Sequence, residues 1–555
     1  MRSMSVLLGA LGALATTASG QKLMDNPSPG NFIRRSFAAA TVIGDYVYID
    51  GGGISQKLDN KTLPPDQAYT PMNSTLSFNI STSWETSKVN ILAYDKPAPA
   101  PKLTRQVLWK GEDPKAFWIW GGRTIRDIDS DKINKRKMWR FEANGEGGGR
   151  WFPETPNESD DFRDMHLPFR PAYTTYKNTG FSFGGEQVPA SDPEIDVKFQ
   201  PVQGMVTFDL NSKTFSNEST PDVSRYGTLV GATAEYVPGF GDNGLIMILG
   251  GYGYTPDTNV RRPDQTLYFD NLTFLDPETR QWYWQKSSGD HPSPRLDHCS
   301  VGVRSGRDTH EIFVFGGHDP INEETFEDIY VLSLPGFIWK RIDATSGGPR
   351  RGQACVATEN RQMISIGGIN SNKDNEWRVK DPFPQGLGVF DMTELKWKDN
   401  YDHNAAPYDS PKPVREWYAS GGLDGVKWSS TQTKALFTSV TPDVPKESKT
   451  PTGAIAGGVV GGVVGVCLIG VLVWWLLRRR RRAAGRAVEG EYAAAHTGMD
   501  PVRAEMDGTL KRTELPPHEA SPPSELAGSD RPLPPELDAP VAELDGSNEA
   551  ARRIR

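Results

Sequence analysis

A short apolar run that ends in a glycine pair recurs six times in this chain of 555 residues. Each run has the length of a β-strand, is rich in Val, Ile, Phe and Tyr, and is bounded by Gly, Pro or Asp, which is typical of strands. Successive pairs are roughly 63 residues apart on average. A period of this size predicts a fold built from repeated units. The six pairs end at Gly52, Gly122, Gly185, Gly251, Gly317 and Gly368.

Each glycine pair is followed by a second apolar run and then by an aromatic residue. Upstream, a basic residue often opens a strand of small residues, as at Arg34, Arg225, Arg295 and Arg351. Four strands in each of six units predict an all-β, six-bladed propeller, because a single unit cannot bury both its faces whereas units packed in a ring bury them against each other. The aromatic residues are Trp84, Trp151, Phe215, Trp282, Trp339 and Trp397.

Over about Arg34–Lys398, the glycine pair, the strand after it and the downstream Trp resemble the kelch-repeat, galactose-oxidase-like β-propeller family. In such a ring, glycine lets neighbouring backbones approach closely, and the aromatic side chain fills the wedge between blades. Seven blades are the alternative to six, because Gly421-Gly422 hint at another pair and residues 399–437 could fold back into the ring. The fold leaves function open, since it hosts enzymes and binding scaffolds alike.

The first 20 residues have the form of a secretory signal peptide. Arg2 precedes an apolar stretch, and small residues lead to a cleavage point before Gln21. Residues 21–33 are a lead rich in Pro, Gly and Asn, and one hypothesis is that they add a strand to the last blade. Residues 91–102 contain several prolines and are interpreted as a connector, because proline is excluded from central strands.

Ala454–Leu477 is a stretch of 24 residues without a charge, long enough to cross a membrane with some tilt. Five arginines from Arg478 follow it, which predicts a cytoplasmic C-terminus and an external propeller. Between the propeller and this stretch, residues 399–437 form a post-propeller segment with a short capped helix at its end, and residues 438–453 form a Ser/Thr/Pro stalk. We predict a type I single-pass protein of the plasma membrane or a secretory-pathway membrane.

The tail, residues 478–555, is polar, rich in Pro and Glu and poor in aromatic residues, so we predict that it is disordered. Within it, Arg531–Leu537 nearly matches an SH3 ligand, and Ser521-Pro522 is a proline-directed phosphorylation motif. Glycines that repeat every four residues on the predicted membrane helix favour a homodimer through that helix, although glycine is also simply common in such helices. These glycines are Gly457, Gly461 and Gly465.

Six N-x-[ST] sequons predict N-glycosylation. All of them lie before the predicted fifth blade, and none lies in the tail, which agrees with an external propeller. Glycans at these positions would mark loops where partners do not bind. The sequon residues are Asn60, Asn73, Asn79, Asn157, Asn217 and Asn271.

Three cysteines are too few for a disulfide framework, and a propeller of this size buries enough apolar surface without one. Cys299 and Cys355 each lie four residues after a strand-opening arginine, so we expect them on neighbouring inner strands. A disulfide is one outcome in an oxidising compartment, but two buried free thiols are the favoured expectation.

The resemblance raises the question of a copper-radical oxidase, whose site needs two tyrosines, two histidines and a cysteine cross-linked to one tyrosine. No histidine of the predicted external part follows a tyrosine, and its two cysteines are expected in inner strands. The sequence also has no GxSxG elbow, HExxH helix or P-loop. We predict no catalytic residue, no metal site and no cofactor. With a net charge of −8 and no dense basic face outside the arginine run, nucleic-acid binding is not expected.

The loops after the glycine pairs are the candidate binding surface. Because the repeat fixes their place in each unit, all of them should emerge on one face of the ring, here called the post-diglycine face, and inserts on one face often bind partners. The first residues after the pairs are Gly53, Arg123, Glu186, Tyr252, His318 and Ile369. The predicted contacts to a ligand or partner are Arg123, Tyr252, Tyr254, His318, Asp319 and Trp377.

The sequence predicts a cell-surface protein that binds a protein or glycan partner through the post-diglycine face, with a role in adhesion, sensing or scaffolding. The absence of a catalytic motif, the stalk, the tail and the glycine repeat of the membrane helix all favour this reading. The alternative is a membrane-tethered propeller enzyme, either a galactose-oxidase-like oxidoreductase or one with another activity.

Overall fold

The chain divides into two compact units, and the first contains nearly all the helices and strands that the structure describes. The units are Met1–Thr450 and Pro451–Arg555. The structure is a computed structural model, and it describes residues 23–58, 61–64, 67–125, 137–157, 165, 167–195, 199–220, 223–255, 265–344, 347–438, 442 and 469–478.

Six antiparallel sheets of four strands make up the first unit within the described residues, and each comes from one continuous stretch of chain. In every sheet the spatial order of the strands is their order in the chain, as in a meander. The strands of sheets 1, 2 and 3 are Ala39–Ile43, Tyr46–Asp50, Ser74–Asn79 and Leu92–Asp95; Val107–Trp109, Ala116–Trp120, Met138–Ala143 and Gly149–Glu154; and Ala172–Tyr176, Thr179–Phe183, Met205–Asp209 and Thr214–Glu218.

Sheets 4, 5 and 6 repeat the pattern, and their second strands are again the apolar runs before the glycine pairs. The second strand of sheet 5, His310–Phe315, is buried along its whole length. Sheet 5 also gains a short parallel strand, Ser288–Gly289. The strands of these sheets are Thr233–Val237, Leu245–Leu249, Asn271–Leu275 and Trp282–Lys286; Cys299–Arg304, His310–Phe315, Ile329–Leu334 and Ile338–Ile342; and Ala354–Ala357, Gln362–Ile366, Leu387–Asp391 and Lys396–Lys398.

The sheets close into a ring. The first strand of each sheet contacts the first strand of the next, and that of sheet 6 contacts that of sheet 1. Six buried apolar clusters lie between neighbouring sheets, and the one joining sheet 6 to sheet 1 includes Val47, Leu76, Ile364 and Val389. This arrangement is a β-propeller, in which each sheet buries its faces against its two neighbours.

The glycine pairs lie where each second strand meets the next sheet. The first glycine of every pair has φ between 60° and 71°, a left-handed conformation that favours glycine. A Cβ atom on Gly51 would lie 2.5 Å from the Leu103 carbonyl oxygen, and one on Gly316 would lie 2.5 Å from the Arg350 carbonyl oxygen. Both carbonyls belong to segments that lead into the next sheet. The expected close approach of backbones at these glycines is therefore confirmed.

Outside these six sheets, the described residues also form a further four-stranded sheet, made of Phe32–Ser36, Gly53–Leu58, Lys61–Thr62 and Thr70–Pro71, and three pairs of two-residue strands. Phe32–Ser36 pairs with Gly53–Leu58 rather than with sheet 6, so the hypothesis that the lead completes the last blade is wrong. Leu92–Asp95 is the outermost strand of sheet 1, so residues 91–102 are not a connector throughout. Their prolines all follow this strand, and none has to donate a ladder hydrogen bond. Two of the three pairs are Glu186–Gln187 with Gln200–Pro201 and His318–Asp319 with Glu324–Thr325.

Residues 399–438 pack against sheets of the ring and do not form a further four-stranded sheet. Asn400–Tyr401 pairs with Trp84–Glu85, which links the chain after sheet 6 to sheet 1. Trp84 therefore lies outside the fourth strand of sheet 1, unlike the other five aromatic residues in their sheets, and it stacks on Tyr401 with ring centroids 5.2 Å apart. Asn400–Tyr401 is the one strand in residues 399–438, all of which the structure describes, so this segment forms no seventh sheet.

Two short helices follow in the same segment. Lys412–Ala419 buries Val414 and Tyr418 between sheets 5 and 6. Thr431–Thr438 buries Phe437 between sheets 4 and 5, and the Ser430 hydroxyl accepts a hydrogen bond from the Thr433 amide at 2.9 Å as its cap. The capped helix predicted at the end of this segment is therefore present, whereas the first helix was not predicted.

Cys299 and Cys355 form a disulfide between the first strands of sheets 5 and 6, with Cα atoms 5.7 Å apart. They do lie on neighbouring inner strands, but the expectation of two free thiols is wrong. Inner strands converge toward the axis of a propeller, which brings equivalent positions of two sheets within the Cα separation that a disulfide requires. Sequence spacing indicates equivalent positions but not this distance.

Residues 469–478 of the second unit are helical. None of the helices in the described ranges has both the length and the apolar character needed to span a bilayer. Several predictions lie outside the described residues: the signal peptide, residues 454–468 of the apolar stretch with Gly457, Gly461 and Gly465, most of the stalk, and the tail motifs at residues 521–522 and 531–537.

Candidate functional site

The six residues that follow the glycine pairs occupy equivalent positions. Each pairs antiparallel with a residue of the segment that leads into the first strand of the same sheet. Arg123 pairs with Thr104, for example, and His318 pairs with Leu296. These residues therefore share one face of the ring. From Gly53 to Ile369, the partners are Ser36, Thr104, Phe169, Val230, Leu296 and Arg351.

A closed circle of backbone hydrogen bonds lies at the centre of the post-diglycine face. In each sheet the next residue after this pair has a positive φ, between 55° and 69°. Its amide donates to the carbonyl of the equivalent residue in the preceding sheet, at 2.7 to 3.2 Å, and the amide of sheet 1 donates to sheet 6. The circle therefore satisfies backbone groups that would otherwise be buried unpaired. Its members are Phe37, Arg105, Arg170, Gly231, Asp297 and Gly352.

The charged side chains of this circle meet across its centre. Asp297 Oδ1 accepts from Arg170 Nε at 2.9 Å, and Asp297 Oδ2 accepts from Arg105 Nη2 at 3.3 Å. Arg105 and Asp297 are the second and fifth members of a circle of six, so their ion pair crosses the axis. The Arg105 guanidinium also lies 3.7 Å from the centre of the Phe37 ring. These contacts close the axis at this face.

More arginines surround the crossing pair. Arg170 Nη1 lies 2.8 Å from Glu186 Oε1, and Arg351 Nη1 lies 3.7 Å from Asp297 Oδ2. Arg123 lies over the Phe169 ring at 4.9 Å. We call Arg105, Arg123, Arg170 and Arg351 the arginine cluster. Within this set four guanidinium groups meet two carboxylates, which leaves an excess of positive charge among these six side chains.

The pKa shifts of Asp297 and Arg105 reflect burial together with the several arginines around one aspartate. Burial alone would raise the pKa of Asp297, but Arg170, Arg105 and Arg351 together lower it below its usual range. Burial lowers the pKa of Arg105 to about 9; Asp297 opposes this shift, and the neighbouring arginines add to it. Both groups therefore remain ionised at neutral pH.

A cavity of about 500 Å³ lies behind the circle, between the first strands of the six sheets. Its wall carries Glu235, whose carboxylate accepts from the Ser300 hydroxyl at 2.6 Å and from the Gly302 amide at 3.2 Å. Burial raises the pKa of Glu235 to about 7, although both hydrogen bonds act in the opposite direction. Lys110 lines the cavity as well, and burial lowers its pKa.

The structure buries most of the predicted contact residues in the loop layer. Arg123 alone among the six is partly exposed. Tyr252 and Tyr254 pack with Leu296 in a small apolar cluster. Trp377 stacks on Tyr69 with ring centroids 4.2 Å apart.

His318 and Asp319 are also buried. Asp319 accepts from the Ile321 amide at 2.8 Å and so holds its own turn. These side chains stabilise the loops, and their predicted contacts with a ligand stay a prediction.

Sequence reasoning missed the centre of the face. Arg105, Arg170 and Asp297 follow no motif, and their common feature is only their place just before the first strand of a sheet. The sequence predicts Arg351 as the basic residue that opens its strand. The structure instead gives Arg350 the contact that Arg295 makes in sheet 5: Arg350 donates to the Gly367 carbonyl at 2.7 Å, and Arg295 donates to the Gly316 carbonyl at 2.9 Å. Alignment of the six units by their first strands would have shown this position.

Comparison with known proteins supports the repeat interpretation. Residues 231–416 match the family model described as the KLHDC2/KLHL20/DRC7 Kelch-repeats domain. The match covers sheets 4 to 6 and reaches the first helix after them. This part of the chain is similar to kelch-repeat domains. Its resemblance to this family, first seen in the glycine pairs, is confirmed.

Three relatives illustrate the range of similar proteins. A "Kelch repeat-containing protein" from Arthroderma benhamiae is 29% identical over 197 residues, which is 34% of this chain and 27% of the relative. "Tip elongation aberrant protein 1" from Schizosaccharomyces pombe is 25% identical over 174 residues, 29% of this chain and 14% of the relative. "Kelch domain-containing protein 3" from Homo sapiens is 24% identical over 110 residues, 20% of this chain and 27% of the relative. The chain thus spans 27% or less of the length of each of these three relatives.

Proposed function

We propose that this kelch-repeat protein is a protein-interaction propeller that docks an acidic segment of a partner protein on its post-diglycine face. The arginine cluster carries the proposal. A guanidinium group presents several donors in a plane that matches a carboxylate, and a cluster with excess positive charge favours a partner that brings negative charge. Arg123 and Arg351 are partly exposed at the rim of the cluster, where a bound segment would reach them.

The packing of the loop layer supports the same proposal. The circle of hydrogen bonds and the buried aromatic residues hold the arginines on a rigid base, so little ordering is required when a partner binds. A neutral glycan is the alternative ligand. The excess of guanidinium groups over carboxylates favours carboxylates over uncharged hydroxyl groups.

We further propose that each sheet is one blade of a six-bladed ring, held outside the plasma membrane or a secretory-pathway membrane. The apolar stretch, the arginines after it and the signal-like N-terminus support this location. The disulfide supports it too, because disulfides persist in oxidising compartments. The disulfide also uses both cysteines of the propeller, so neither is available for the cross-link to tyrosine that the oxidase alternative requires.

The test measures binding of short fluorescent peptides rich in Asp and Glu to the full chain in detergent micelles. Matched peptides with Asn and Gln at the same positions report binding that does not depend on charge. We expect the acidic peptides to bind more tightly, and we expect the R123A/R351A double variant to weaken this binding about tenfold, or ~1.4 kcal/mol.

The matched control is the K177A/K213A double variant, which removes two cations at turns on the opposite face. It should leave the affinity unchanged apart from a small general effect of net charge. Equal affinity for acidic and neutral peptides would contradict the proposal, and so would an equal loss in the two double variants.

A further inference from the structure

An exposed tryptophan marks the outer edge of sheet 4. Trp284 is 48% exposed, although large aromatic side chains are normally well buried. It lies in the outermost strand, where it pairs with Thr273, and Lys286 of the same strand pairs with Asn271. Since side chains alternate along a strand, Asn271, Thr273, Trp284 and Lys286 project from the same face of the sheet.

Asn271 and Thr273 are the first and third residues of a sequon. Asn271 is exposed, and its amide has no hydrogen-bond partner among the described residues. Trp284 is its diagonal neighbour, and such neighbours are about 7–8 Å apart across an antiparallel pair. An asparagine side chain extended by one sugar ring covers this distance. An acceptor site and an uncovered indole therefore lie side by side.

We propose that Asn271 carries an N-linked glycan whose first N-acetylglucosamine packs on the indole of Trp284. In the transfer, the Asn271 amide nitrogen forms a bond to C1 of a lipid-linked oligosaccharide. The bond from C1 to the lipid diphosphate breaks, the diphosphate leaves with its electron pair, and one amide proton is lost. The C–H-rich face of the sugar then meets the electron-rich face of the indole, and the Thr273 methyl group lies beside them.

The other described sequons provide a comparison within the same molecule. Asn79 is partly buried, and its side-chain oxygen accepts from the Ser81 amide at 2.8 Å. Asn73 is partly buried as well. Asn157 and Asn217 are exposed, but neither is a cross-strand neighbour of an exposed tryptophan. The indole of Trp84 donates to the Asn79 backbone carbonyl at 2.8 Å, but Trp84 is partly buried. Only at Asn271, among these five, does the sheet place an exposed indole beside the acceptor.

The proposal rests on the part of the proposed function that sends the propeller through the secretory pathway. The experiment expresses the full chain in a eukaryotic secretory host and maps glycan occupancy by mass spectrometry. Hydroxyl-radical labelling of Trp284 is then compared before and after enzymatic removal of glycans. Labelling should be about twofold lower with the glycan present, because the sugar covers one face of the ring and leaves the other edge open.

Two variants separate this effect from changes elsewhere. N271Q should label at Trp284 like the deglycosylated protein, whereas N217Q should not change it. Tyr268, which is 57% exposed, is the internal reference for labelling.

Occupied Asn157 or Asn217 with a bare Asn271 would overturn this proposal and leave the secretory route intact. An occupied Asn271 with unchanged Trp284 labelling would overturn it too. If every sequon is bare, the secretory part of the proposed function fails with it.

Discussion

Loss of the Cys299–Cys355 disulfide should strongly destabilise the propeller. The two cysteines are 56 residues apart in sequence. Closing a loop of 15 residues stabilises a protein by about 3 kcal/mol and a loop of 100 residues by about 4.7 kcal/mol in the chain-entropy account, so this loop should contribute about 4 kcal/mol. The C299A/C355A double variant, which leaves no unpaired thiol in the propeller, should lose this amount.

The assay is denaturant unfolding of the full chain followed by tryptophan fluorescence. The midpoint should fall in the double variant and, by a similar amount, in the wild-type chain treated with a reductant, whereas reductant should not affect the variant. C467A is the matched control, because Cys467 lies outside the propeller. The reasoning is refuted if alkylation of the unreduced, unfolded protein labels Cys299 and Cys355, or if reductant leaves the wild-type midpoint unchanged.

Three further substitutions test other contacts, each by denaturant unfolding. G316A should destabilise by about 1–3 kcal/mol, because alanine is strained at this positive φ, whereas G306A, with open space around it, should be neutral; equal midpoints would contradict the argument. F437A should cost about 3–5 kcal/mol by emptying the site between sheets 4 and 5, and a loss below about 1 kcal/mol, close to that of an ordinary surface substitution, would contradict it. Burial raises the pKa of Glu311 to about 7 from 4.5, so the folded state holds this proton more tightly than the unfolded state does. The contribution of Glu311 to the free energy of unfolding should therefore be greatest below about pH 4.5 and should be lost as the pH rises to about 7. E311Q should flatten this fall in stability, and an unchanged pH profile would contradict the assignment.

The repeat was predictable because its cause is local. The left-handed conformation where each second strand meets the next sheet favours glycine, so a glycine pair is visible in the sequence of every unit. The apolar strand before each pair is equally regular. Sheet 1 departs from the pattern because its outermost strand lies between Trp84 and the prolines, where the turn signals are weak. Tertiary pairing of Trp84–Glu85 with Asn400–Tyr401 decided that region, and residues more than 300 positions apart leave no short-range signal.

The candidate site was predictable only as a face. The repeat period places all the residues after the glycine pairs on one face of the ring, and their equivalent antiparallel pairings confirm this. Which side chains reach solvent depends on how the loops pack, and the loops bury Tyr252, His318 and Trp377. The ion pair between Arg105 and Asp297 joins the second and fifth sheets of a closed ring, so its partners become visible only once the ring is built.

Glu311 and the disulfide contribute to the stability of the propeller, whereas the post-diglycine face is its proposed binding surface. The most direct measurement is hydrogen–deuterium exchange of the full chain with and without its tightest-binding acidic peptide. The account predicts slower exchange in the segments that contain Arg105, Arg123 and Arg351. Protection confined to the opposite face, around Lys177, would contradict it.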